Sequence, residues 1–573
     1  MSNDTPTRSR DPEDEDDEAD DGGRPSAATQ IVRLVLGEGA ELFHATDGQA
    51  YMTIQIDGVA QTMPVKKTST FIKRLYYEAT DKAANSQAVT DAKGVLEGMA
   101  LYSGDEIPVY TRLASANGNL YLDLGQEDWL IVEIGPPGWR VIPAAEAPVR
   151  FLHPRGMTAL PLPLPGGDLA DLRRLLHLKS EDDWRRLVGV LVACMNPDIE
   201  QPVIIFAGEP GASKTTTAER LKALIDPAIP ALKSEPRNED TLAIQARNGW
   251  LLGYDNLSRC PDWLSDAICR VSTGGGLSKR ELWTDDDEII FDIRRPVMLT
   301  SIVDVVTRSD LADRAFTISL VQIPEDQRRP KQEIDAAFEA MQPKLLGALL
   351  DICAGALQRL PETHLARSPR MAGIARWVTA AEEGLGWAPG TFVTVMQNSK
   401  EESFDAVIEA SILAAVVIEA VEAGRTWDEV TAGALLSDLR VCAGEGISRR
   451  KDFPKNAGSL SGKLRTLSPA LRSKGISIES GQTANTGSRK VWTIRKYCAK
   501  SDARDASDAE PMNTALSSVA PASISVAPEI ESDAQNLNGD GGSVDSVDSV
   551  AVSAPLSSEG GGNGAAPRTE VRI

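Results

Sequence analysis

The chain has 573 residues, of which 42% are hydrophobic, so it is long enough for two to four domains with real cores. Its formal net charge is −23, but about −15 of this lies at the two ends: residues 1–28 hold 3 basic and 10 acidic groups, and residues 498–573 hold 4 and 12. Both ends are poor in large apolar residues, so we expect disordered acidic tails there, which aid solubility or mimic DNA. The low pI therefore does not exclude a nucleic-acid partner.

Six cysteines form no C-x-x-C pair, and four histidines do not cluster near them. We expect reduced thiols and no structural zinc. No stretch approaches eighteen uninterrupted apolar residues, and the N-terminus lacks a secretory signal. The expected location is cytoplasmic, without a membrane partner.

Residues 29–160 predict an α+β domain, because an alternating stretch at 50–58 precedes a helical one near residues 71–76 and two more apolar strands. A primase centre needs two neighbouring carboxylates for two metal ions, whereas Asp123 stands alone on its strand. The sequence predicts no primase centre, and leaves a separate primase open as a partner.

Residues 161–330 contain the motif around which the chain is organised, an apolar strand that breaks into a glycine-containing loop before a helix. At such a turn backbone N–H groups converge on a phosphate. Lys214 would reach the β- and γ-phosphates of ATP, and Thr215 would ligate Mg²⁺. The predicted nucleotide-binding residues are Gly208, Glu209, Pro210, Gly211, Ala212, Ser213, Lys214, Thr215 and Thr216.

Ser213 stands where glycine is usual before the lysine. If that position needs positive φ, serine costs about 1 kcal/mol and weakens nucleotide binding. The alternative is an ordinary glycine turn with a solvated lysine.

A second apolar strand, predicted over 250–254, ends in Asp255 and Asn256. We expect it to lie beside the loop strand, so that Asp255 holds Mg²⁺ directly or through water. Asn256 can orient a water but cannot take its proton, so turnover would be slow unless another acid serves. Alternatively, Asp255 caps a turn or helix.

The glycine-rich stretch 272–283 carries Lys279 and Arg280, and a strand over 289–293 can return beside it. Such a hairpin would bring both side chains to a phosphodiester backbone. It could equally be a solvated basic turn balanced by the acidic residues 285–288.

A third strand over 296–301 ends in hydroxyl residues, of which Ser301 is suited to sensing the γ-phosphate. Arg308 and Arg314 follow, and one of them would reach the nucleotide of a neighbouring subunit in a ring. Either arginine could instead pair with Asp310 or Asp313.

In this order the motifs resemble the ATPase core of superfamily 3 helicases, in particular the helicase half of phage and plasmid primase-helicases. Strings such as Asp255-Asn256-Leu257-Ser258 and Leu264-Ser265-Asp266-Ala267 are similar to those of ATP-binding proteins of actinobacterial mobile elements. The resemblance implies an α/β, AAA-like P-loop NTPase fold, ATP and Mg²⁺, a homo-oligomeric ring such as a hexamer, and movement on single-stranded or forked DNA. Ser213, Asn256 and Ile302 depart from the pattern.

Residues 331–400 predict a helical lid or bridge, and residues 401–497 predict helices followed by two strands, the layout of a winged helix. Residues 440–497 carry 13 basic and 3 acidic groups in an otherwise acidic chain. The expected DNA contacts are Lys463 and Arg465 on a reading helix and Arg489 and Lys490 on the wing. A basic face for a protein partner is the alternative.

The sequence therefore favours an ATP-dependent DNA helicase or translocase that replicates a phage, plasmid or integrative element. A second hypothesis is a nucleotide-gated DNA-binding switch with slow or no hydrolysis. A third, an interaction protein that displays its acidic tails, does not account for the motif order.

Overall fold

The computed structural model describes residues 25–275, 277–280, 288–291, 293–301, 309–482 and 490–496, and these lie in one compact unit. The first helix begins at Ala27, inside the segment predicted to be an acidic tail. The rest of that tail, and residues 498–573, lie outside the described residues.

The helices, in chain order, are α1 Ala27–Gly37, α2 Ser69–Thr80, α3 Ser86–Tyr102, α4 Ala170–Arg173, α5 Glu181–Ala193, α6 Lys214–Ile225, α7 Glu239–Arg247, α8 Asp262–Thr273, α9 Ser309–Ala312, α10 Lys331–Arg359, α11 Ala372–Ala381, α12 Thr391–Glu409, α13 Ile412–Glu422, α14 Ala432–Ser448 and α15 Ala457–Ser473.

The strands are β1 Glu41–His44, β2 Ala50–Ile56, β3 Val59–Pro64, β4 Val109–Tyr110, β5 Leu113–Ala116, β6 Asn119–Asp123, β7 Leu130–Gly135, β8 Gly138–Pro143, β9 Arg150–Phe151, β10 Val203–Ala207, β11 Leu252–Leu257, β12 Leu277–Arg280, β13 Glu288–Phe291, β14 Val297–Ser301, β15 Ala315–Ser319, β16 Trp427–Thr431, β17 Ile476–Gln482 and β18 Lys490–Lys496. The predicted mixed α/β class is confirmed.

A four-stranded parallel sheet in the order β11-β14-β10-β15 forms the centre of the protein. Alternate residues of its strands enter two different cores: Ile204 and Phe206 face one, and Val203 and Ile205 face the other. Because all four strands run the same way, their carboxyl ends meet at one edge. This edge carries the candidate site.

The N-terminal region contains two antiparallel sheets, β1-β2-β3 and β5-β6-β7-β8. The first packs with α1 to α3 around a core of its own. The second buries Leu120, Leu122 and Val132 in the same core as Leu187 of α5 and Leu349 of α10. The hydrophobic core therefore crosses the boundary that the sequence placed between residues 160 and 161.

The proline-rich segment 161–167 packs closely along α10. The Leu164 N–H donates to the Pro343 carbonyl at 2.9 Å, and a Cβ on Gly347 would lie 1.9 Å from the Leu164 carbonyl oxygen. The helical region 331–362 is long and apolar enough to span a membrane, but 56% of its most apolar window is buried inside the protein. It is a core helix here.

The C-terminal region consists of α13 to α15 and an antiparallel sheet in the order β16-β18-β17. Its buried side chains, such as Leu464 and Trp492, join the core on the second face of the central sheet. The helical stretch is interrupted between α12 and α13, where the Ser411 hydroxyl accepts the Ala414 N–H and starts α13.

Candidate functional site

The glycine-containing loop lies between β10 and α6, where the sequence predicts it. Gly208 has φ 153°, and a Cβ there would lie 2.6 Å from the Leu320 carbonyl oxygen. Gly211 has φ 85°. Both positions need glycine, the first because the segment after β15 approaches closely and the second because its backbone is left-handed.

Ser213 has φ 58° and ψ 29°, the left-handed conformation that glycine adopts most easily. Its hydroxyl makes no capping hydrogen bond to α6. The first N–H groups of a helix have no partner within that helix, and in α6 the N-cap side chain does not supply one. A serine here carries about 1–2 kcal/mol of backbone strain and leaves the helix start open to an anion.

Lys214 is buried, and its ammonium group turns back over the loop. Nζ donates to the Gly208 carbonyl at 2.7 Å and to the Glu209 carbonyl at 2.9 Å. Burial lowers the pKa of Lys214, while Asp255 raises it and so partly opposes the burial. The ammonium group is therefore held at the loop by two backbone carbonyls, which phosphate oxygens could replace.

Asp255 lies near the end of β11, with its carboxylate directed at the start of α6. Its Oδ1 accepts the Thr215 hydroxyl at 2.9 Å and the Thr300 hydroxyl at 2.5 Å. Thr300 also accepts the backbone N–H of Asn256 at 2.9 Å. The structure thus joins the predicted metal ligands of α6 and β11 directly, and a hydroxyl on β14 donates to the same carboxylate oxygen.

Thr215 and Asp255 could together hold Mg²⁺ through one hydroxyl and one carboxylate oxygen. Oxygens in adjacent positions of an octahedral shell lie roughly 2.9 Å apart, because bonds of about 2.1 Å meet at right angles. The Thr215 and Asp255 oxygens have that separation. No group of three or more His, Cys, Asp or Glu side chains in the described segments could hold a metal alone, so water and phosphate would complete the shell.

The expectation that β11 lies beside the loop strand β10 is wrong. β14 lies between them, hydrogen-bonded to both. The register of β11 against β14 shifts between Tyr254 and Leu257, and Asn256 has φ 56°. This bulge directs Asp255 toward the loop and leaves the Asn256 side chain exposed beside it.

Ser301 does not join this group. Its hydroxyl donates to the Leu257 carbonyl at 2.8 Å and is buried between β14 and β11. Neighbouring residues of a strand face opposite sides, so only one of the two hydroxyls can meet Asp255. That residue is Thr300.

Arg314 lies at the opposite edge of the sheet, since its carbonyl accepts the N–H of Val203 at the start of β10. Its Nη1 donates to the Asp310 carbonyl at 2.8 Å. The predicted pairing partner Asp313 instead binds Arg370 at 2.8 Å and Lys400 at 2.5 Å. The five residues of β10 separate Arg314 from the loop, about 13 Å or more, so its side chain cannot reach the loop of its own chain. Arg308 lies outside the described residues.

Two segments of the chain match family models. Residues 170–387 match "Actinomycete integrative conjugative element replication protein", and residues 413–509 match "AICE RepA C-terminal domain". Over both segments the chain matches a replication protein of a mobile element. This confirms the resemblance to proteins of actinobacterial mobile elements.

Solved structures give weaker likenesses. The apo C-terminal region of NrS-1 is 11% identical with a TM-score of 0.36, and the match covers 81% of this chain and 99% of that one. The SCCmec type IV Cch structure, titled an active helicase, is 12% identical with a TM-score of 0.35, covering 79% and 92%. Both TM-scores are too low to transfer a fold or an activity, and no curated protein matches the chain.

The segment matched as a RepA C-terminal domain contains four of the six predicted DNA contacts. Arg465 on α15 and Lys490 on β18 are exposed, whereas the ammonium group of Lys463 donates to the Asp452 carbonyl. Arg489 lies outside the described residues. Lys279 and Arg280 lie on β12, which pairs antiparallel with β13 as predicted, but their side chains are not among those described.

Two residues near the loop, Thr300 and Arg328, were not among the predicted site residues. Thr300 was part of the predicted strand, but nothing in the sequence favoured it over Ser301. Arg328 follows β15 by nine residues, and its Nη2 lies 3.4 Å from the position that a Cβ on Gly211 would take. No local motif identifies Arg328, because the folded chain alone brings it to the loop.

Proposed function

We propose that the protein is an ATPase that uses ATP and Mg²⁺ to move on or remodel single-stranded or forked DNA during replication of a mobile element. The observation that carries this proposal is the contact of Thr215 with Asp255 at the mouth of a loop that holds Lys214. A glycine turn with a solvated lysine would require neither contact.

The loop would bind the phosphates of ATP. The uncapped start of α6 offers backbone N–H donors, and Lys214 would exchange its two carbonyl partners for phosphate oxygens. Burial strengthens this contact, because a charge is less screened inside the protein than in water.

Thr215 and Asp255 would hold Mg²⁺, which neutralises charge that develops on the phosphates. Thr300 fixes the orientation of the Asp255 carboxylate by donating to Oδ1. Asn256 can orient an attacking water with its exposed side-chain amide but cannot accept the water's proton. We therefore expect slow intrinsic turnover.

In a ring, a neighbouring subunit would supply a further cation to the nucleotide. Arg314 lies at the edge of the sheet opposite its own loop, so it can stabilise a phosphoryl group only in another copy of the chain. This supports a homo-oligomeric ring such as a hexamer.

The C-terminal region would bind the DNA. Its elements follow the order α13, β16, α14, α15, β17, β18, and residues 440–497 carry 13 basic and 3 acidic groups. This order and charge support a winged helix in which α15 approaches the DNA and the connection from β17 to β18 acts as the wing. Arg465 is exposed on that helix and available to a phosphate.

A nucleotide-gated DNA-binding switch is the second candidate function. It is favoured by Asn256, whose amide occupies the position where a carboxylate would activate water. In that case ATP would set the assembly state without being turned over.

Strand separation on a forked DNA tests the proposal, with wild type, Lys214→Ala and a control variant, Lys66→Ala. Lys66 is an exposed lysine paired with Glu97 in the N-terminal region, so its loss removes the same charge far from the loop. We expect ATP-dependent strand separation by wild type and Lys66→Ala and none by Lys214→Ala. Equal activity of Lys214→Ala would contradict a role for the loop.

A further inference from the structure

The segment that follows β15 lies directly against the phosphate-binding loop. The Leu320 N–H donates to the Ala207 carbonyl at 2.9 Å, and the Leu320 carbonyl approaches Gly208 so closely that no side chain fits there. A short 3-10 turn, Glu325–Gln327, then reverses the chain. Through this reversal Arg328 returns to the tip of the loop.

The Arg328 guanidinium is exposed at that tip. Nη2 lies 3.4 Å from the position of a Cβ on Gly211, and the side-chain amide nitrogen of Gln322 lies 3.8 Å from the same point. Nε donates to the Ile323 carbonyl at 3.3 Å, which holds the inner end of the guanidinium. Nη2 remains directed at the loop.

Among the residues that the structure describes, no carboxylate lies within 4.0 Å of this guanidinium. Neighbouring cations differ in this respect: Lys331 binds Glu219 at 3.0 Å, and Arg220 lies 3.8 Å from Asp335. A cation without a carboxylate partner, placed at Gly211 in the loop that also carries Lys214, suits a group with several negative charges.

We propose that Arg328 binds the phosphates of the nucleotide held by the loop of its own chain. This rests on the proposed function, because it assumes that the loop binds ATP. Magnesium and Lys214 together do not balance the charge of a triphosphate, and the planar fork of arginine can take two phosphate oxygens at once. Arg328 and Arg314 would then act on a nucleotide from the same chain and from a neighbouring chain, respectively.

Calorimetric titration with ATP and with inorganic tripolyphosphate tests this contact in wild type, Arg328→Ala, Arg328→Lys and Arg329→Ala. Arg329 is the matched control, because it is exposed, adjacent and of equal charge. We expect Arg328→Ala to weaken both ligands about tenfold or more, Arg328→Lys to weaken them less, and Arg329→Ala to change them less than threefold. Equal losses in the two alanine variants would overturn the contact, since they would indicate general electrostatics.

Mixing Arg328→Ala with Lys214→Ala subunits tests whether the contact lies within one chain. If Arg328 acted across an interface, mixed assemblies would recover intact sites and ATP binding. We expect no recovery, and recovery would overturn the assignment. Absence of ATP binding by wild type would contradict the proposed function itself, whereas ATP binding that Arg328→Ala leaves unchanged would contradict only this inference.

Discussion

The side chains of Thr215 and Asp255 are joined by a 2.9 Å hydrogen bond, although forty positions separate them in the chain. Thr215 lies in the first turn of α6, and Asp255 lies on the edge strand β11. Thr300 on β14 donates a second hydrogen bond to the same Asp255 oxygen. These two hydrogen bonds fix the Asp255 carboxylate beside the loop.

Replacement of Asp255 by asparagine would remove the charged Mg²⁺ ligand and keep the side-chain size. We expect ATP turnover to fall about 100-fold or more, because a bound metal contributes several kcal/mol to the transition state. Thr300→Val should cost about tenfold, since it frees the carboxylate to rotate and removes the acceptor of the Asn256 N–H. Steady-state rates over a range of Mg²⁺ concentrations check both, and unchanged rates in Asp255→Asn would mean that Asp255 is a structural cap.

Asn256→Asp would place a proton acceptor where the wild type has an amide. A positioned general base contributes about 10²–10⁴-fold, so we expect hydrolysis in a single turnover to quicken at least tenfold. Aspartate tolerates the left-handed backbone at this position nearly as well as asparagine. Asn256→Ala serves as the control and should show no gain. If the aspartate variant binds ATP yet hydrolyses it no faster, Asn256 does not limit turnover.

Two substitutions of Ser213 test the backbone strain in the loop. Ser213→Gly would relieve about 1–2 kcal/mol of strain but would add about 0.5–1 kcal/mol of unfolded-state flexibility, so stability should change little. Ser213→Val should lower the free energy of unfolding by about 1–3 kcal/mol, because a β-branched side chain resists positive φ. Urea unfolding measures both. A valine variant as stable as the glycine variant would show that the loop adopts another conformation.

Asp226 lies at the centre of a buried charged group that joins the N-terminal sheets to the central core. Its carboxylate binds Arg112 at 3.1 Å and Lys222 at 2.9 Å and accepts the N–H groups of Trp250 and Leu251. Burial alone would raise the pKa of Asp226, but Lys222 and Arg112 outweigh it and hold the pKa below its usual range.

Asp226→Asn should therefore lower the free energy of unfolding by about 3–5 kcal/mol, because two buried cations lose their counterion. Since the folded pKa is depressed, the stabilisation is present above about pH 4 and is lost as the pH falls through the folded pKa. The difference between wild type and variant should shrink on acidification from pH 5 to pH 3. Asp57→Asn, which breaks an exposed pair with Arg74, is the control and should leave stability unchanged. A pH-independent difference would contradict this account.

The parts of the site encoded by local spacing could be predicted from the sequence. The loop and α6 follow from a short apolar run, glycine and helical periodicity, and Asp255 follows from its place after a second apolar run. The order of the strands could not be predicted, since β14 inserts between β10 and β11 through pairing that leaves no local trace. For the same reason the sequence pointed to Ser301 instead of Thr300, because only a register fixes which hydroxyl meets Asp255.

Domain boundaries are subject to the same limit. The proline-rich segment 161–167 has the composition of a linker, but its backbone packs against α10. Arg328 illustrates the opposite case, an exposed arginine in an unremarkable sequence that the fold brings to the loop. Contacts between segments that are distant in the chain determine both the packing of residues 161–167 and the position of Arg328, so local sequence predicts neither.

The rate of ATP hydrolysis by the wild-type protein, measured with and without single-stranded DNA, tests the central claim most directly. A motor that acts on DNA should hydrolyse ATP slowly alone and several-fold faster when DNA is bound, with both rates lost in Lys214→Ala. A rate that DNA does not change, in a sample that binds ATP tightly, would contradict the motor and favour the nucleotide-gated switch.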